Sequence, residues 1–558
     1  MAKRTKKRRT HRRRPGVALD ASRRERGQRS PASLVDRFLH LQMPDERPWK
    51  FLLPVLALAF AVRATIALCG DFVLHPDEVM QYLEPAHRLV FGSGVTYWEF
   101  FYGARSWLVP GMVAGVLKVF DVVGLGEPFW YVGGVKLVFC AISLLIPVGM
   151  YFFARRHFGE LSARVALLAG AFWYELVGFA HKPMTEFVGT ALLMALLVLC
   201  VRSSVHRVRT VWVVALVAVL VVAVRLQYAP IALLVLGVFY FRTEKKVHLA
   251  VATGAFLLAV GVFDAMMWDG GLFHSYITNI RFNLIVGQGR AGETPGYQFL
   301  WWLLLASVGL GALCVVIALR DLRRYGFVLA MVALVLLIHS VQAHKEYRFV
   351  FAVVPLWLLV GADVVARFGG PVRVWGLVGV LFAAVSIGGV LNALPSQDQV
   401  YRAFSRETGK VGFIRGQDPI FAAYHYLARA PGVLGVWQAD RRYFNLPGYY
   451  YLHREIPFYD AFSGRAINKG VEITAASVSH IVAADTSLTN PIPGYTVEKE
   501  FGDIQIWCRD ENDAPIRQWE VYSPITVDIL EQQIMMRVDP NAPKPPPDLG
   551  IRFAAESR

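Results

Sequence analysis

From residue 51 to residue 391 the chain is a succession of apolar runs, each closed by a short charged or polar connection. That pattern predicts membrane-spanning helices, because a span needs about 20 mostly apolar residues, or fewer where neighbours shield it. Eleven runs qualify, at roughly 51–69, 128–153, 161–180, 184–201, 211–224, 229–241, 248–265, 299–319, 326–343, 349–366 and 374–391.

Orientation follows from the connections. With the N-terminus in the cytoplasm, the inner connections are Arg155-Arg156-His157, 202–209, Arg242 to Lys246, Arg320 to Arg324 and 367–373, all basic, as the positive-inside rule asks. Treating 211–241 as one long helix would carry the later basic connections outward, so two spans are expected there, separated by Arg225 to Tyr228. The outer connections are then 70–127, His181 to Pro183, Arg225 to Tyr228, 266–298, His344 to Arg348 and everything after about 392.

The apolar rhythm stops on both sides. Residues 1–48 form a basic tail, 49–394 the membrane region with a first outer loop at 70–127, 395–539 an extracytoplasmic α/β domain with alternating stretches such as Val478 to Ala484, and 540–558 a Pro-rich tail. The expected class is therefore an α-helical polytopic membrane protein of about eleven spans.

Composition agrees with burial in lipid: of 558 residues, 55% are hydrophobic and 18% charged, with mean hydropathy +0.41. The net charge of +16 is mostly the tail, where thirteen Lys and Arg face only Asp20 and Glu25 before Pro31. Such a tail suits a cytoplasmic anchor against anionic lipid better than a nucleic-acid arm, and no nucleic-acid partner is expected. Cys69, Cys140, Cys200 and Cys314 lie in or beside apolar runs and Cys508 in a polar region, so neither a disulfide framework nor a Cys-based metal site is expected.

The unusual residues gather on the outer side. His75-Pro76-Asp77-Glu78 opens a stretch whose positions 78, 81, 84/85 and 88 recur at helical spacing, predicting a helix along the membrane surface with Asp77 at its start. Asp77 and Glu78 would meet the headgroup layer, where a carboxylate can act as general base for an incoming hydroxyl or simply cap the helix. His344-Lys345-Glu346-Tyr347-Arg348-Phe349 crowds cations between two spans; they can meet an anionic phosphodiester or snorkel to headgroups. Arg105, Lys182 and Arg225 are weaker cations of the same kind. Tyr97, Trp98, Phe100 and Phe101 can stack on a sugar or form an interfacial belt. Residues 266–298, with Asp269, His274, Asn279, Arg281 and Asn283, are long and polar enough to line an acceptor site, and spacing does not assign them individually. His75, Asp77 and Glu78 are too close in sequence to form a metal set alone, so no cofactor is expected, without excluding a divalent ion.

HPDEVMQYLEPAHRLVFGSGVTYWEF at 75–100, followed by GARS, resembles the first luminal loop of glycosyltransferase family 22, the dolichyl- or polyprenyl-phosphate-mannose-dependent mannosyltransferases of GPI-anchor and N-glycan assembly. HKEYRF at 344–349 is similar to that family's HKE-x-RF signature. Weaker echoes are KPMTE at 182–186, where eukaryotic members tend to carry Ser-Asn, and Phe282-Asn283. TYWEF departs from the usual TWEW, and the segment around GYYYLHREIPFYD at 448–460 is longer than in eukaryotic members.

The resemblance implies a GT-C fold with an extracytoplasmic active site and inverting transfer of mannose, or another hexose, from a polyprenyl phosphate to a glycan or glycolipid. It implies Asp77 as catalytic base with Glu78 second; from the residues themselves, His344, Lys345, Arg348 and Arg105 are expected at the donor phosphate, and His75, Trp98, Glu99 and Asn283 toward the sugar or acceptor. From a composition rich in Ala, Val and Arg a bacterial cytoplasmic membrane is expected, where eukaryotic relatives would occupy the endoplasmic reticulum membrane. The rival expectation is a transporter or flippase of a lipid-linked sugar.

Overall fold

A computed structural model describes residues 48–202, 207–285, 294–342, 345–367, 372–394, 416–439, 447–456, 458–459, 478–484, 494–509 and 525–526. The chain divides into two compact units, Met1–Lys50 and Phe51–Arg558, and the second holds the helical bundle and every strand among the described residues.

The apolar runs form helices. Trp49–Leu68, Pro128–His157, Lys246–Trp268 and Leu322–Val341 are each long and apolar enough to cross a bilayer. Thr185–Arg202, Val208–Val224, Ala229–Arg242, Val353–Arg367 and Val372–Val390 correspond to further expected runs. Outward-facing side chains such as Leu58, Val251 and Leu337 are more than half exposed, as a lipid-facing surface requires.

Some runs are broken, and in each case a polar group takes up what the break frees. The run at 161–180 is a helix, Glu160–Phe172, then an extended Trp173 and a short turn, Tyr174–Gly178. Arg63, buried in the first helix, donates to the carbonyls of Gly170 at 3.2 Å and Ala171 at 2.7 Å. This makes an arginine inside an apolar helix tolerable, since its charge meets carbonyls at a helix C-terminus. The run expected as one span at 299–319 is instead two helices, Gln298–Ala306 and Leu310–Leu319, bent by 113°. Val308 and Gly309 both take positive φ, and the Ser307 hydroxyl accepts the Gly311 N–H at 3.0 Å. Val208–Val224 and Ala229–Arg242 are separate helices, as expected, because Arg225 turns extended and the ladder stops.

The first outer connection is more ordered than a loop. It holds a π-helical turn, Glu78–Leu83, running into the helix Glu84–Phe91, a two-residue strand β1 (Thr96–Tyr97), and an apolar helix, Leu108–Val122. Glu78, Gln81, Glu84 and His87 on the first helical stretch are all buried, so this face packs inward and does not lie against headgroups.

After residue 415 the expected α/β character is present. A five-stranded sheet runs β3-β2-β4-β6-β5, from β2 (Val436–Gln438), β3 (Phe458–Tyr459), β4 (His480–Ala484), β5 (Tyr495–Phe501) and β6 (Ile504–Arg509). The β2–β3 and β2–β4 pairs are parallel; β4–β6 and β5–β6 are antiparallel. Helix Pro419–Leu427 packs on it. A last strand, β7 (Ile525–Thr526), pairs in parallel with β1.

This region is docked on the first outer connection by buried polar groups. Asp71 pairs with Lys136 and, at 2.7 Å, with His425, and its carbonyl accepts the Asp418 N–H at 2.9 Å. The Glu84 carboxylate accepts N–H groups from Val95 at 2.7 Å and Tyr450 at 2.6 Å. His87 meets His453 at 2.9 Å between their ring nitrogens. The helical stretch that begins at Glu78 is thus held by residues more than 300 positions away.

Candidate active site

Pro76 restricts the backbone entering the π turn, and its carbonyl accepts the N–H groups of Val79 and Met80 at 3.1 and 3.0 Å. Asp77 sits at the N-cap with helical φ and ψ but makes no side-chain cap bond. Its carboxylate is turned instead toward the HKEYRF segment, where Arg348 Nη2 donates to Asp77 Oδ2 at 2.6 Å. Two stretches singled out from the sequence therefore meet directly.

Arg348 is shared among three carboxylates. Besides Asp77, its Nε donates to Glu346 at 2.5 Å and its Nη1 lies 3.3 Å from Glu186. Glu186 also takes Arg225 Nη1 at 2.9 Å. Burial disfavours the Arg348 charge, but Glu346, Asp77 and Glu186 together hold its pKa well above the ordinary value. Burial would likewise raise the Asp77 carboxyl, yet Arg348 and His75 hold it far below the usual carboxylate range.

His75 closes the cluster. Its Nδ1 accepts the Asp77 N–H at 3.1 Å and its Nε2 lies 3.5 Å from Glu346. Burial and Arg348 push its pKa down, but Asp77 and Glu346 outweigh them and raise it.

Glu78 is placed differently from the expectation. It is buried, accepts the N–H groups of Leu74 at 2.7 Å and His75 at 3.1 Å, and pairs with Lys182 at 3.1 Å. Both oxygens are engaged in shaping the turn before Asp77.

Beside the cluster opens a solvent-continuous cavity lined by Gln81, Tyr82, Arg105, Thr185, Arg225, Tyr276 and Asn279 among others. Glu99 is held near it by Gln81 at 2.9 Å and Arg105 at 3.6 Å; burial pushes its carboxyl up to about 7 against the pull of Arg105. Arg105 and Arg225 each carry a buried Nε–H with no hydrogen-bond acceptor among the described residues. Such donors are costly unless a ligand or water satisfies them.

The remaining expected residues fall outside this constellation. Lys345 is buried and donates to the carbonyls of Thr294 at 3.1 Å and Gln342 at 2.7 Å. Asn283 donates back to Asn279 at 3.0 Å to the carbonyl and 3.1 Å to the side chain, and it is Asn279 that reaches the cavity. His344 and the side chain of Trp98 lie outside the described residues. Sequence reasoning assigned no role to Glu186 or Glu346 and only a weak one to Arg225. The signal lay in KPMTE, where a glutamate heading an apolar helix needs a partner, and Arg225 between two apolar runs was its candidate.

Comparisons with known proteins agree on class. A profile of the Alg9-like mannosyltransferase family matches residues 54–405. The chain is 24% identical over 372 residues to GPI mannosyltransferase 3 of Yarrowia lipolytica, covering 64% of this chain and 72% of that one. It is 24% identical over 363 residues to alpha-1,2-mannosyltransferase alg9 of Schizosaccharomyces pombe, covering 57% and 60%, and 27% identical over 365 residues to GPI mannosyltransferase 3 of Trypanosoma brucei brucei, covering 56% and 65%. The chain thus spans less than two thirds of the latter two. Among solved structures, ArnT from Cupriavidus metallidurans, bound to undecaprenyl phosphate, matches with a TM-score of 0.57 at 13% identity, covering 83% of this chain and 98% of that one, which identifies the fold as GT-C. Integral to the membrane, and built on that fold around a buried acid–arginine cluster, the chain belongs to the Alg9-like mannosyltransferase family, a family of glycosyltransferases.

Proposed function

We propose that the chain transfers mannose, with inversion, from a polyprenyl phosphate mannose to a hydroxyl of a glycan or glycolipid at the extracytoplasmic face of a bacterial cytoplasmic membrane, with residues 49–394 as the catalytic region. The observation that carries this reading is the meeting of Asp77 and Arg348 beside a solvent-open cavity, two of whose arginines have N–H groups without an acceptor among the described residues.

In this reading the acceptor hydroxyl oxygen attacks the anomeric carbon, the bond from that carbon to the phosphate oxygen breaks, and the hydroxyl proton passes to Asp77. The leaving group is polyprenyl phosphate, and a β-linked donor gives an α-mannoside. The pairing with Arg348 keeps Asp77 ionised and aimed, at the expense of basicity. That suits glycosyl transfer through an oxocarbenium-like transition state, in which the acceptor loses its proton late.

The geometry favours a division of labour among the cations. Arg348 is committed to three carboxylates, so it positions Asp77, whereas Arg105 and Arg225, lining the cavity, face the donor phosphate. Glu78, with both oxygens engaged, holds the turn and leaves the base to Asp77. Tyr82, Gln81 and Asn279 supply donors and acceptors for a sugar or acceptor. ArnT was solved with undecaprenyl phosphate, a ligand of the proposed leaving-group class.

The test is to incubate membranes carrying the chain with labelled polyprenyl phosphomannose and acceptor glycolipids. Label on a new molecule, absent with Asp77→Asn, supports the reading. Label that only crosses the bilayer would point to the flippase reading instead.

A further inference from the structure

A second cluster of ligating side chains lies in the five-stranded sheet, on strands distinct from those that hold the first outer connection. His480 on β4, Glu498 on β5 and Cys508 on β6 each present one ligand atom, and all three atoms lie within 4.8 Å of one another. We propose that this is a metal site for a borderline-soft divalent ion of the zinc type.

The backbone explains the convergence. His480 pairs directly with Cys508 across β4 and β6, and Cys508 pairs with Thr496 across β5, so all three side chains emerge on one face of the sheet. The β5–β6 register shifts between Val497 and Lys499, leaving Glu498 as the extra residue of a β-bulge. A bulge re-aims the side chain it carries, and here the glutamate comes to 3.2 Å from His480 Nε2.

The surrounding bonds are those a metal set needs. The His480 ring is oriented by Ser479, whose Oγ lies 2.9 Å from Nδ1, leaving Nε2 to face the cluster. Tyr426 donates its hydroxyl to the second oxygen of Glu498 at 2.6 Å, so that carboxylate is fixed from helix Pro419–Leu427. His480 is buried and Glu498 about a third exposed, which leaves one side open for water as a fourth ligand.

Chemistry selects the ion. Zinc bonds of roughly 2.0–2.3 Å to nitrogen, oxygen and sulfur give tetrahedral ligand separations of about 3.4–3.8 Å, reachable by small side-chain shifts. A thiolate and an imidazole disfavour calcium and magnesium, which take oxygen ligands. Binding releases the Cys508 proton, and thiolate plus carboxylate then neutralise a divalent ion, so a half-buried site carries no net charge. The ion would clamp β4, β5, β6 and, through Tyr426, the helix above them. This inference is independent of the transfer reaction proposed above.

The experiment uses the full chain in detergent, purified through a histidine-free tag and stripped with chelator, with zinc alone and cobalt alone as probes. The wild type is expected to take up about one tightly held zinc per chain and to melt at a higher temperature with it. Cobalt should give a thiolate-to-metal charge-transfer band, absent in Cys508→Ser. Glu498→Gln, at the exposed side of the cluster, guards against a variant that fails to fold and should weaken zinc at least about tenfold, while Tyr426→Phe should weaken it by about 10–100-fold. If stripped wild type binds no zinc at this stoichiometry, or if Cys508→Ser and Glu498→Gln keep wild-type affinity and an unchanged cobalt spectrum, the three residues are only a hydrogen-bonded group and the proposal is wrong.

Discussion

The carboxylate of Asp77 lies 2.6 Å from the guanidinium of Arg348, 271 positions further along the chain. One residue opens the first outer helical stretch and the other stands between two apolar helices. Their contact ties the outer connection to the membrane bundle and sets the charge state of the proposed base. Because Arg348 also holds Glu346 and Glu186, three carboxylates share one guanidinium, with Arg225 a second partner for Glu186.

Replacing Asp77 by Asn keeps the shape and one acceptor oxygen for Arg348 but removes the proton acceptor. Transfer should fall by about 10² to 10⁴, the usual worth of general-base assistance, with thermal unfolding close to wild type. Turnover rates in proteoliposomes settle this, and a loss below about tenfold would take Asp77 out of the base role.

Removing Arg348 should be a matter of stability first. Arg348→Ala leaves buried Glu346 and Glu186, and half-buried Asp77, without their common partner, and breaking a buried pair of this kind costs about 3–5 kcal/mol. Unfolding of the detergent-solubilised variant should register it, and Arg348→Lys should recover only part, since a point charge cannot serve three carboxylates through a planar fork. A change of less than about 0.5 kcal/mol, normal for a surface residue, would show that the cluster is not closed as described.

At Arg105 the expected effect is on binding. Its guanidinium lines the cavity while its Nε–H has no acceptor among the described residues, so Arg105→Ala should raise the donor KM by about ten- to a hundredfold, the worth of one or two bonds to a charged group. A fall in kcat at unchanged KM would place Arg105 at the transition state and not in ground-state donor binding.

Glu84 carries the pH prediction. Burial pushes its carboxyl up to about 7, from 4.5, against N–H bonds from Val95, Tyr450 and Tyr449. A folded-state value above the unfolded one means that the folded chain keeps this proton longer. The Glu84 contribution to stability is therefore full below about pH 4.5 and is lost as pH rises through 7, a change on the order of 3 kcal/mol. Hydrogen exchange at Gly448–Leu452, corrected for intrinsic rates, should show less protection at pH 8 than at pH 5. Glu84→Gln should flatten that dependence while costing about 1–3 kcal/mol, because its amide N–H₂ would face a backbone donor. Protection that rises with pH in the wild type would contradict the buried acid.

Gly70 tests the docking from the backbone side. A Cβ there would collide with the backbone nitrogen of Gln417, so the chain must move apart. Gly70→Ala should expose the segment from 416 to 430 to protease while the membrane helices stay intact. Wild-type resistance would mean that the two segments do not touch there.

What the amino-acid order determined unaided was chiefly what repeats along the chain. Runs of Leu, Val, Ala and Phe cannot remain in water at that length, so most of the apolar helices and the break at Arg225 could be read directly. The two motifs that meet at the cluster were legible too, because cations and carboxylates beside apolar runs demand partners.

Which carboxylate serves which cation was decided only by tertiary packing. Asp77 and Glu78 are neighbours with the same chemistry, yet the π turn sends one toward Arg348 and the other back to Leu74, His75 and Lys182. Glu186 became part of the cluster because Thr185–Arg202 begins beside Arg225 and Arg348, and the 113° bend at Val308 has no counterpart in the hydropathy of that run. Hydropathy reports how far a segment prefers lipid to water. It is blind to direction, and the direction of a buried charge is set by the partner packed against it, which for Asp77 the fold brings from 271 positions away.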